Sequence, residues 1–192
     1  LEVEEDMIQL ETVVISANKN ETNRLEAPIV VHVMTPKLFE NTNSVCLAQG
    51  LSFQPGLRVE TNCQNCGFQQ VRINGLDGPY TQLLLDGKAL FSSLNGVYGI
   101  EQIPTGMIER VEVMRGGGSA LYGANAIGGT VNIITKEPLN NLFMISHNLT
   151  AIGNSAYDNT TSLNTSLVNS QRDAGIYLFG TSRHRQHYDH DG

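Results

Sequence analysis

The chain has 192 residues, of which 40% are hydrophobic, which is enough for the core of one modest domain. Twelve basic and nineteen acidic residues give a net charge of −7. Because phosphate contacts need clustered Lys and Arg, this charge excludes a nucleic-acid-binding surface. The sequence has neither an apolar run long enough for a membrane-spanning helix nor a signal peptide. It begins at Leu1 and stops in a charged, His-rich stretch, so we expect an excised part of a longer protein whose targeting segment was removed.

Residues 1–23 are mostly acidic and polar and predict a flexible, exposed tail. One short β-prone segment interrupts them, ETVVISA at Glu11 to Ala17. On its residues alone it suits either an edge strand of this protein or a strand added to a partner's sheet edge. A compact domain is expected over residues 24–138. Its first strand is predicted at Ile29 to Met34, followed by a short helix that begins with Thr35 and Pro36 as cap and first-turn proline.

A second helix is predicted from Ser44 to Phe53, and it ends before Pro55 and Gly56, which cannot continue it. Strand-like segments then recur between long polar or Gly-rich loops. They are Leu57 to Thr61, Gln69 to Ile73, Gln82 to Leu85, Val111 to Met114 and Val131 to Ile134. This order predicts an α+β fold with a small mixed β-sheet and short helices, not a succession of βαβ units.

The run from Ile108 to Lys136, IERVEVMRGGGSALYGANAIGGTVNIITK, is the most distinctive part of the chain. It joins the last two predicted strands through a linker with six glycines, a pattern of strand, tight turn and strand. Glycine reaches positive φ at low cost and lets another backbone approach closely, so the linker indicates backbone geometry, not side-chain chemistry. It does not match a phosphate-binding loop, because Ala124 and Asn125 follow Gly123 where Lys and Ser or Thr belong.

Beyond Pro138 the chain consists of segments of loosely alternating polarity, each about ten residues long. They are Leu142 to Ala151, Thr160 to Ser170 and Ala174 to Arg183. Strands of about 9 to 11 residues with this alternation are typical of an outer-membrane barrel. The pattern alone favours an ordinary antiparallel meander.

Taken together, these motifs resemble the plug domain of TonB-dependent outer-membrane receptors. The family's usual sequence pattern in this segment is close to IERIEVxRGPxSALYGxxAxGGVINIITK. The chain departs from this pattern at Gly117, where proline is common. Further matching motifs, in the family's order, are ETVVISA, LSFQPGL, VRING, LLLDGKAL and GGTVNIITK. The resemblance implies a plug fold over residues 24–138, followed over residues 139–192 by the first strands of an outer-membrane barrel. Three strands of a barrel of about 22 cannot close, so we expect this last part to be disordered or to pair non-natively without the rest.

The resemblance implies that the segment in the tail is the TonB box, which the periplasmic protein TonB, driven by its inner-membrane motor complex, pulls during transport. The residues that would contact TonB are Glu11, Thr12, Val13, Val14, Ile15, Ser16 and Ala17.

Two arginines, Arg72 in VRING and Arg115 in VMRGG, each stand at the end of a predicted strand. An isolated arginine is most simply a solvated surface charge. By resemblance, both pair with glutamates on the inner wall of the barrel, a contact that suits the planar fork of Arg. Because those glutamates lie outside this chain, we expect both arginines to lack their partners here.

Three loops, residues 62–68, 74–80 and 88–99, are rich in amides, glycines and aromatic rings, as many surface loops are. By resemblance, the first and third are the apical loops that face outward and touch the imported small molecule. The substrate-facing residues would be Asn62, Gln64, Asn65, Phe68, Phe91, Ser92, Asn95 and Tyr98.

Cys63 and Cys66 form a single C-x-x-C in the first of these loops, and Cys46 lies apart in the second predicted helix. A lone pair is a weak zinc signal, and thioredoxin-like chemistry needs the pair to open a helix. A local disulfide between Cys63 and Cys66 is the interpretation we favour if the domain lies in the oxidising periplasm. Metal binding and redox function remain alternatives.

The closing stretch with His184, His187 and His190 could ligate a metal ion together with Asp189 and Asp191, but we favour a solvated turn of the unfinished barrel. We expect no resident metal and no cofactor. No Ser, His and Asp constellation or pair of carboxylates indicates an enzyme.

The sequence thus predicts the plug of an outer-membrane active transporter for a scarce nutrient such as an iron-siderophore, haem or cobalamin. The plug would sit inside its own β-barrel with its N-terminus in the periplasm. The alternative is a secreted or cell-surface module that binds a glycan or a protein.

Overall fold

The computed structural model describes residues 14–15, 22–23, 30–63, 68–90, 100–116, 122–153 and 156–186. The predicted α+β class is confirmed, with a mixed five-stranded sheet, a separate two-stranded hairpin, a three-stranded meander and a short pairing in the tail. The strands are β1 (Val14–Ile15), β2 (Thr22–Asn23), β3 (Val31–Met34), β4 (Leu57–Cys63), β5 (Phe68–Ile73), β6 (Thr81–Leu85), β7 (Lys88–Ala89), β8 (Ile108–Arg115), β9 (Gly129–Thr135), β10 (Leu142–Ile152), β11 (Ala156–Val168) and β12 (Gly175–Arg185).

The helices are short. They are α1 (Pro36–Asn41), α2 (Leu47–Leu51) and single 3-10 turns at Gly78–Tyr80, Thr105–Met107 and Ala124–Ala126. Among the described residues, none of these helices has the length and apolar content needed to cross a bilayer.

The five-stranded sheet has the order β3-β8-β9-β6-β7. All neighbours are antiparallel except β6 and β9, which are parallel. A parallel pair needs a long crossover, and here it contains β7, β8 and the Gly-rich linker. β9 therefore occupies the centre of the sheet although it is the last of the five strands in the chain.

The main core lies on one face of this sheet. Alternate residues of a strand point to the same face, and this places Val111 and Val113 of β8 beside Val131 and Ile133 of β9, all with 0% exposure. Helices α1 and α2 cover them with Phe39, Leu47 and Leu51, which are also buried. Gly50 permits this packing, because a Cβ atom there would lie 2.1 Å from the ring of Phe39.

The first helix begins as predicted, with Thr35 before it and Pro36 at its first position. The second is shorter than the predicted Ser44 to Phe53. Its start is delayed because Cys46 is extended and bridges to Pro104, and Leu47 N donates to Ile103 O at 2.9 Å. Pairing with this distant segment competes with the first helical turn, and a local sequence pattern does not contain that information.

The three predicted strands after Pro138 form a continuous antiparallel meander, β10-β11-β12. The expectation that this region is disordered or pairs non-natively without the rest of a barrel stays a prediction. Its inward side chains on β11 are polar and buried, namely Asp158, Thr160, Asn164 and Ser166. The opposite face carries large apolar residues, each of which is at least 56% exposed to solvent. They are Phe143, Ile145, Leu149, Leu167, Ile176 and Leu178. The meander is thus polar toward the rest of the chain and apolar away from it.

Candidate functional site

The segment predicted to contact TonB is described only at Val14–Ile15, which form β1 and pair antiparallel with Thr22–Asn23. These two residues have the extended backbone that strand addition requires. Glu11, Thr12, Val13, Ser16 and Ala17 lie outside the described residues.

Arg72 lies on β5 and is held by two carboxylates of its own domain. Its Nε lies 2.6 Å from Glu60 Oε2, and an Nη atom lies 2.9 Å from Asp77 Oδ1. The sequence did not reveal these two partners, of which Glu60 is brought near Arg72 by the β4–β5 register. The predicted pairing with a barrel glutamate stays a prediction.

Arg115 closes β8, and its guanidinium donates a hydrogen bond to the carbonyl oxygen of Pro55. The same group lies against Gly56, where a Cβ atom would be 2.9 Å from Arg115 Cζ. This partner is a neutral carbonyl that the sequence did not reveal, and the pairing of Arg115 with a barrel glutamate stays a prediction. Arg115 Nε is shielded from solvent and has no hydrogen bond within the described part of the chain, so this guanidinium keeps capacity for a further acceptor.

The two predicted apical loops end at neighbouring positions. Gln69 follows the first loop and Glu101 follows the third, and Gln69 Nε2 donates a hydrogen bond to Glu101 Oε1. Of the predicted substrate-facing residues, Asn62 and Phe68 are described only as strand backbone. Gln64, Asn65, Phe91, Ser92, Asn95 and Tyr98 lie outside the described residues. The structure brings the bases of these loops together, and the contacts to a ligand stay predictions.

A buried polar cluster that the sequence did not reveal crosses the centre of the sheet. Glu112 is 0% exposed, and its Oε1 lies 2.9 Å from Arg110 Nε. Asn132 on β9 donates to Glu112 Oε2 at 3.4 Å and accepts from Gly87 N at 2.9 Å. Burial, with the Glu112 carboxylate nearby, raises the pKa of Tyr122. The cluster ties the turn between β6 and β7 to the strands that precede and follow the Gly-rich linker.

The thiol of Cys46 is buried, and this burial raises its pKa, while the positive charge of Arg183 acts in the opposite direction. A raised pKa lowers the thiolate fraction and slows thiol chemistry. Cys63 is described as backbone only, and Cys66 lies outside the described residues.

We therefore expect the untreated protein to show slow labelling of one thiol with a maleimide near pH 7.5, and fast labelling of the same single thiol in urea. Reduction should raise the count in urea to three, because the predicted disulfide would then release Cys63 and Cys66. Mass spectrometry of the labelled chain counts the thiols, and Cys46→Ala is the control that removes the slow site. Three labelled thiols before reduction would contradict the disulfide.

Among the described residues, no group of three or more His, Cys, Asp or Glu side chains is placed to hold a metal ion. His184 lies exposed on β12. His187, Asp189, His190 and Asp191 lie outside the described residues.

The family model described as TonB-dependent Receptor Plug Domain matches residues 23–130. The chain is 35% identical to the vitamin B12 transporter BtuB of Vibrio vulnificus over 127 aligned residues. The aligned segment covers 66% of this chain and 21% of that protein. It is 31% identical over 126 residues to BtuB of Vibrio cholerae, again over 66% of the chain and 21% of the relative. The chain thus spans about a fifth of the length of these relatives.

Solved structures give a similar picture. The crystal structure of the siderophore receptor PirA from Acinetobacter baumannii superposes with a TM-score of 0.66 at 25% identity, over 84% of this chain and 25% of that one. A mutant of the ferric enterobactin receptor PfeA of Pseudomonas aeruginosa, in complex with enterobactin, superposes with a TM-score of 0.61 at 26% identity over the same shares. These relatives are named as transporters and receptors. With the sheet, the Gly-rich linker and the family match in agreement, the chain belongs to the TonB-dependent receptors, and residues 23–130 are its plug domain.

Proposed function

We propose that this chain is the plug, with the first barrel strands, of an active transporter in the outer membrane of a Gram-negative cell. The observation that carries the proposal is the family match over residues 23–130. The meander supports it, because a strand with polar residues toward the plug and apolar residues on the other side suits a barrel wall between an aqueous lumen and lipid. In this arrangement the plug lies inside the barrel and its N-terminus lies in the periplasm.

The cargo is a small, scarce nutrient. The named relatives transport vitamin B12 or bind ferric siderophores, and we propose cobalamin, an iron-siderophore or haem as the class for this receptor. The apical loops would contact this cargo, and the hydrogen bond between Gln69 and Glu101 would keep their bases together. The glycan- or protein-binding module receives no support from these relatives.

Coupling to TonB would operate by a population shift. Cargo at the apical loops would favour the state in which Glu11 to Ala17 is available, and TonB would add a strand to that segment. Arg72 and Arg115 would hold the plug in the barrel by pairing with carboxylates of its inner wall.

This proposal predicts that replacing Val13 and Val14 by proline abolishes energised uptake by the intact receptor. Proline removes the backbone donors that strand addition needs. Uptake of radiolabelled vitamin B12 and of iron-labelled ferric enterobactin is measured in cells, and the rate should fall to that of a strain without TonB. Val3→Pro, in the same tail but outside the segment, is the control and should keep uptake. Unchanged uptake by the double proline variant would contradict the proposed coupling.

A further inference from the structure

Two turns of the plug share one backbone conformation but differ in how their polar groups are bonded. Asn74 and Gly75 follow β5, with φ of +52° and +83°. Asp86 and Gly87 lie between β6 and β7, with φ of +48° and +74°. Positive φ at both central residues is typical of the tight turn that Asn-Gly and Asp-Gly favour. The two turns therefore allow a direct comparison of the groups around them.

In the turn at Asp86, the side chain and the next backbone nitrogen are both held. The carboxylate of Asp86 accepts hydrogen bonds from Thr135 N and Thr135 Oγ1, each at 2.9 Å. Gly87 N donates to Asn132 Oδ1 at 2.9 Å. These bonds fix both groups against β9, so neither can turn toward the other without losing a partner.

In the turn at Asn74, the corresponding two groups are free. Asn74 and Gly75 are exposed, and within the described part of the chain neither the Asn74 side-chain amide nor Gly75 N has a hydrogen-bond partner. Only backbone bonds hold the turn, from Asn74 N to Gly56 O at 2.9 Å and from Leu76 N to Ile73 O at 3.0 Å. Even a Cβ atom on Gly75 would meet no heavy atom within 4 Å, so the turn has room to rearrange.

A free asparagine amide beside a free glycine nitrogen can lose ammonia, which is one reason why asparagine is a thermolabile residue. Gly75 N forms a bond to Asn74 Cγ, the bond from Cγ to Nδ2 breaks, and the amide nitrogen leaves as ammonia. Water then opens the resulting succinimide ring at either carbonyl and gives aspartate or isoaspartate. The reaction consumes one water, releases one ammonia and needs no oxidant. Glycine favours it because no Cβ atom hinders the attacking nitrogen.

We propose that Asn74 is a site of spontaneous deamidation in the folded receptor, with water as the only co-reactant. The product is a carboxylate two residues after Arg72, whose guanidinium already pairs with Glu60 and Asp77. Deamidation therefore adds a negative charge to the surface around Arg72. The chemistry depends only on the turn, so the proposal is independent of the transported cargo.

The test follows Asn74 in the intact receptor, purified in detergent and incubated near pH 8. Trypsin cleaves after Arg72 and Lys88 and releases a peptide in which Asn74 is the only asparagine. Liquid chromatography with mass spectrometry separates its asparagine, aspartate and isoaspartate forms and gives the rate of conversion.

Asn43 is the reference within the same sample. It is exposed and has φ of +54°, but the next residue is Ser44, whose backbone nitrogen donates to Phe39 O at 2.9 Å. The matched variant is Asp86→Asn, which creates an Asn-Gly pair in the same kind of turn while Gly87 N keeps its bond to Asn132. Fragment ions distinguish the introduced asparagine from Asn74.

In the folded receptor, Asn74 should convert at least about tenfold faster than Asn43 and than the asparagine introduced by Asp86→Asn, because only its reacting groups are free. When the tryptic peptides are incubated instead, Asn74 and the introduced asparagine should convert at rates within about twofold, because the fold no longer holds either pair. Conversion of Asn74 no faster than that of Asn43 would overturn the proposal. Conversion confined to the released peptides would do the same.

Discussion

Gly129→Ala is expected to destabilise the protein by more than about 3 kcal/mol, a large share of the stability of an ordinary domain. Gly129 has φ of +138°, which side chains with a Cβ atom rarely adopt. A Cβ atom there would lie 2.2 Å from the carbonyl oxygen of Met114 and 3.2 Å from Arg115 Cα. Since both neighbours are backbone of the adjacent strand, no side-chain rotation relieves the clash.

Urea unfolding followed by circular dichroism measures this effect, because the chain has no tryptophan for fluorescence. The control is Gly180→Ala on β12, where an added Cβ atom meets no heavy atom within 4 Å. It should change the free energy of unfolding by less than about 0.5 kcal/mol. Equal unfolding midpoints for Gly129→Ala and the unsubstituted chain would show that β8 and β9 do not approach as described.

The second large effect is expected from Glu112→Ala, which should cost about 3–5 kcal/mol of unfolding free energy. The substitution leaves the half-buried guanidinium of Arg110 without its buried carboxylate and removes an acceptor from Asn132. Glu112→Gln, which keeps the shape and the hydrogen-bonding capacity, should cost less than Glu112→Ala.

Glu109→Ala is the matched control, because Glu109 also pairs with Arg110, at 2.9 Å, but its side chain is 47% exposed. Exposed ion pairs contribute about 0–1 kcal/mol, so this variant should unfold close to the unsubstituted chain. Equal losses of unfolding free energy in Glu109→Ala and Glu112→Ala would contradict the expected contribution of the buried cluster at Glu112 to stability.

Local signals predicted much of the fold. Thr35 and Pro36 marked the first helix, and the five predicted strands from Leu57 to Ile134 lie within β4, β5, β6, β8 and β9. The strand β7 was missed although Asp86 and Gly87 between Leu85 and Lys88 are a common two-residue hairpin turn. That signal was present in the sequence and could have been used.

The errors arose where distant parts of the chain meet. The start of α2 depends on the bridge from Cys46 to Pro104. Glu112 alternates with Val111 and Val113, a pattern that normally places a glutamate in solvent. It is buried instead because β8 is an interior strand and Arg110 and Asn132 satisfy its carboxylate.

The central position of β9 also determines when the plug can fold. β9 is hydrogen-bonded to β8 on one side and to β6 on the other, so the pair β3–β8 and the hairpin β6–β7 stay unconnected until the chain is available as far as Thr135. Such non-local pairing is slow, and the unpaired strand edges invite aggregation in the meantime. A chaperone that covers these edges during this interval is therefore expected to raise the yield of folded chain. Because β10 begins only at Leu142, the sheet can be complete before β10, β11 and β12 have paired.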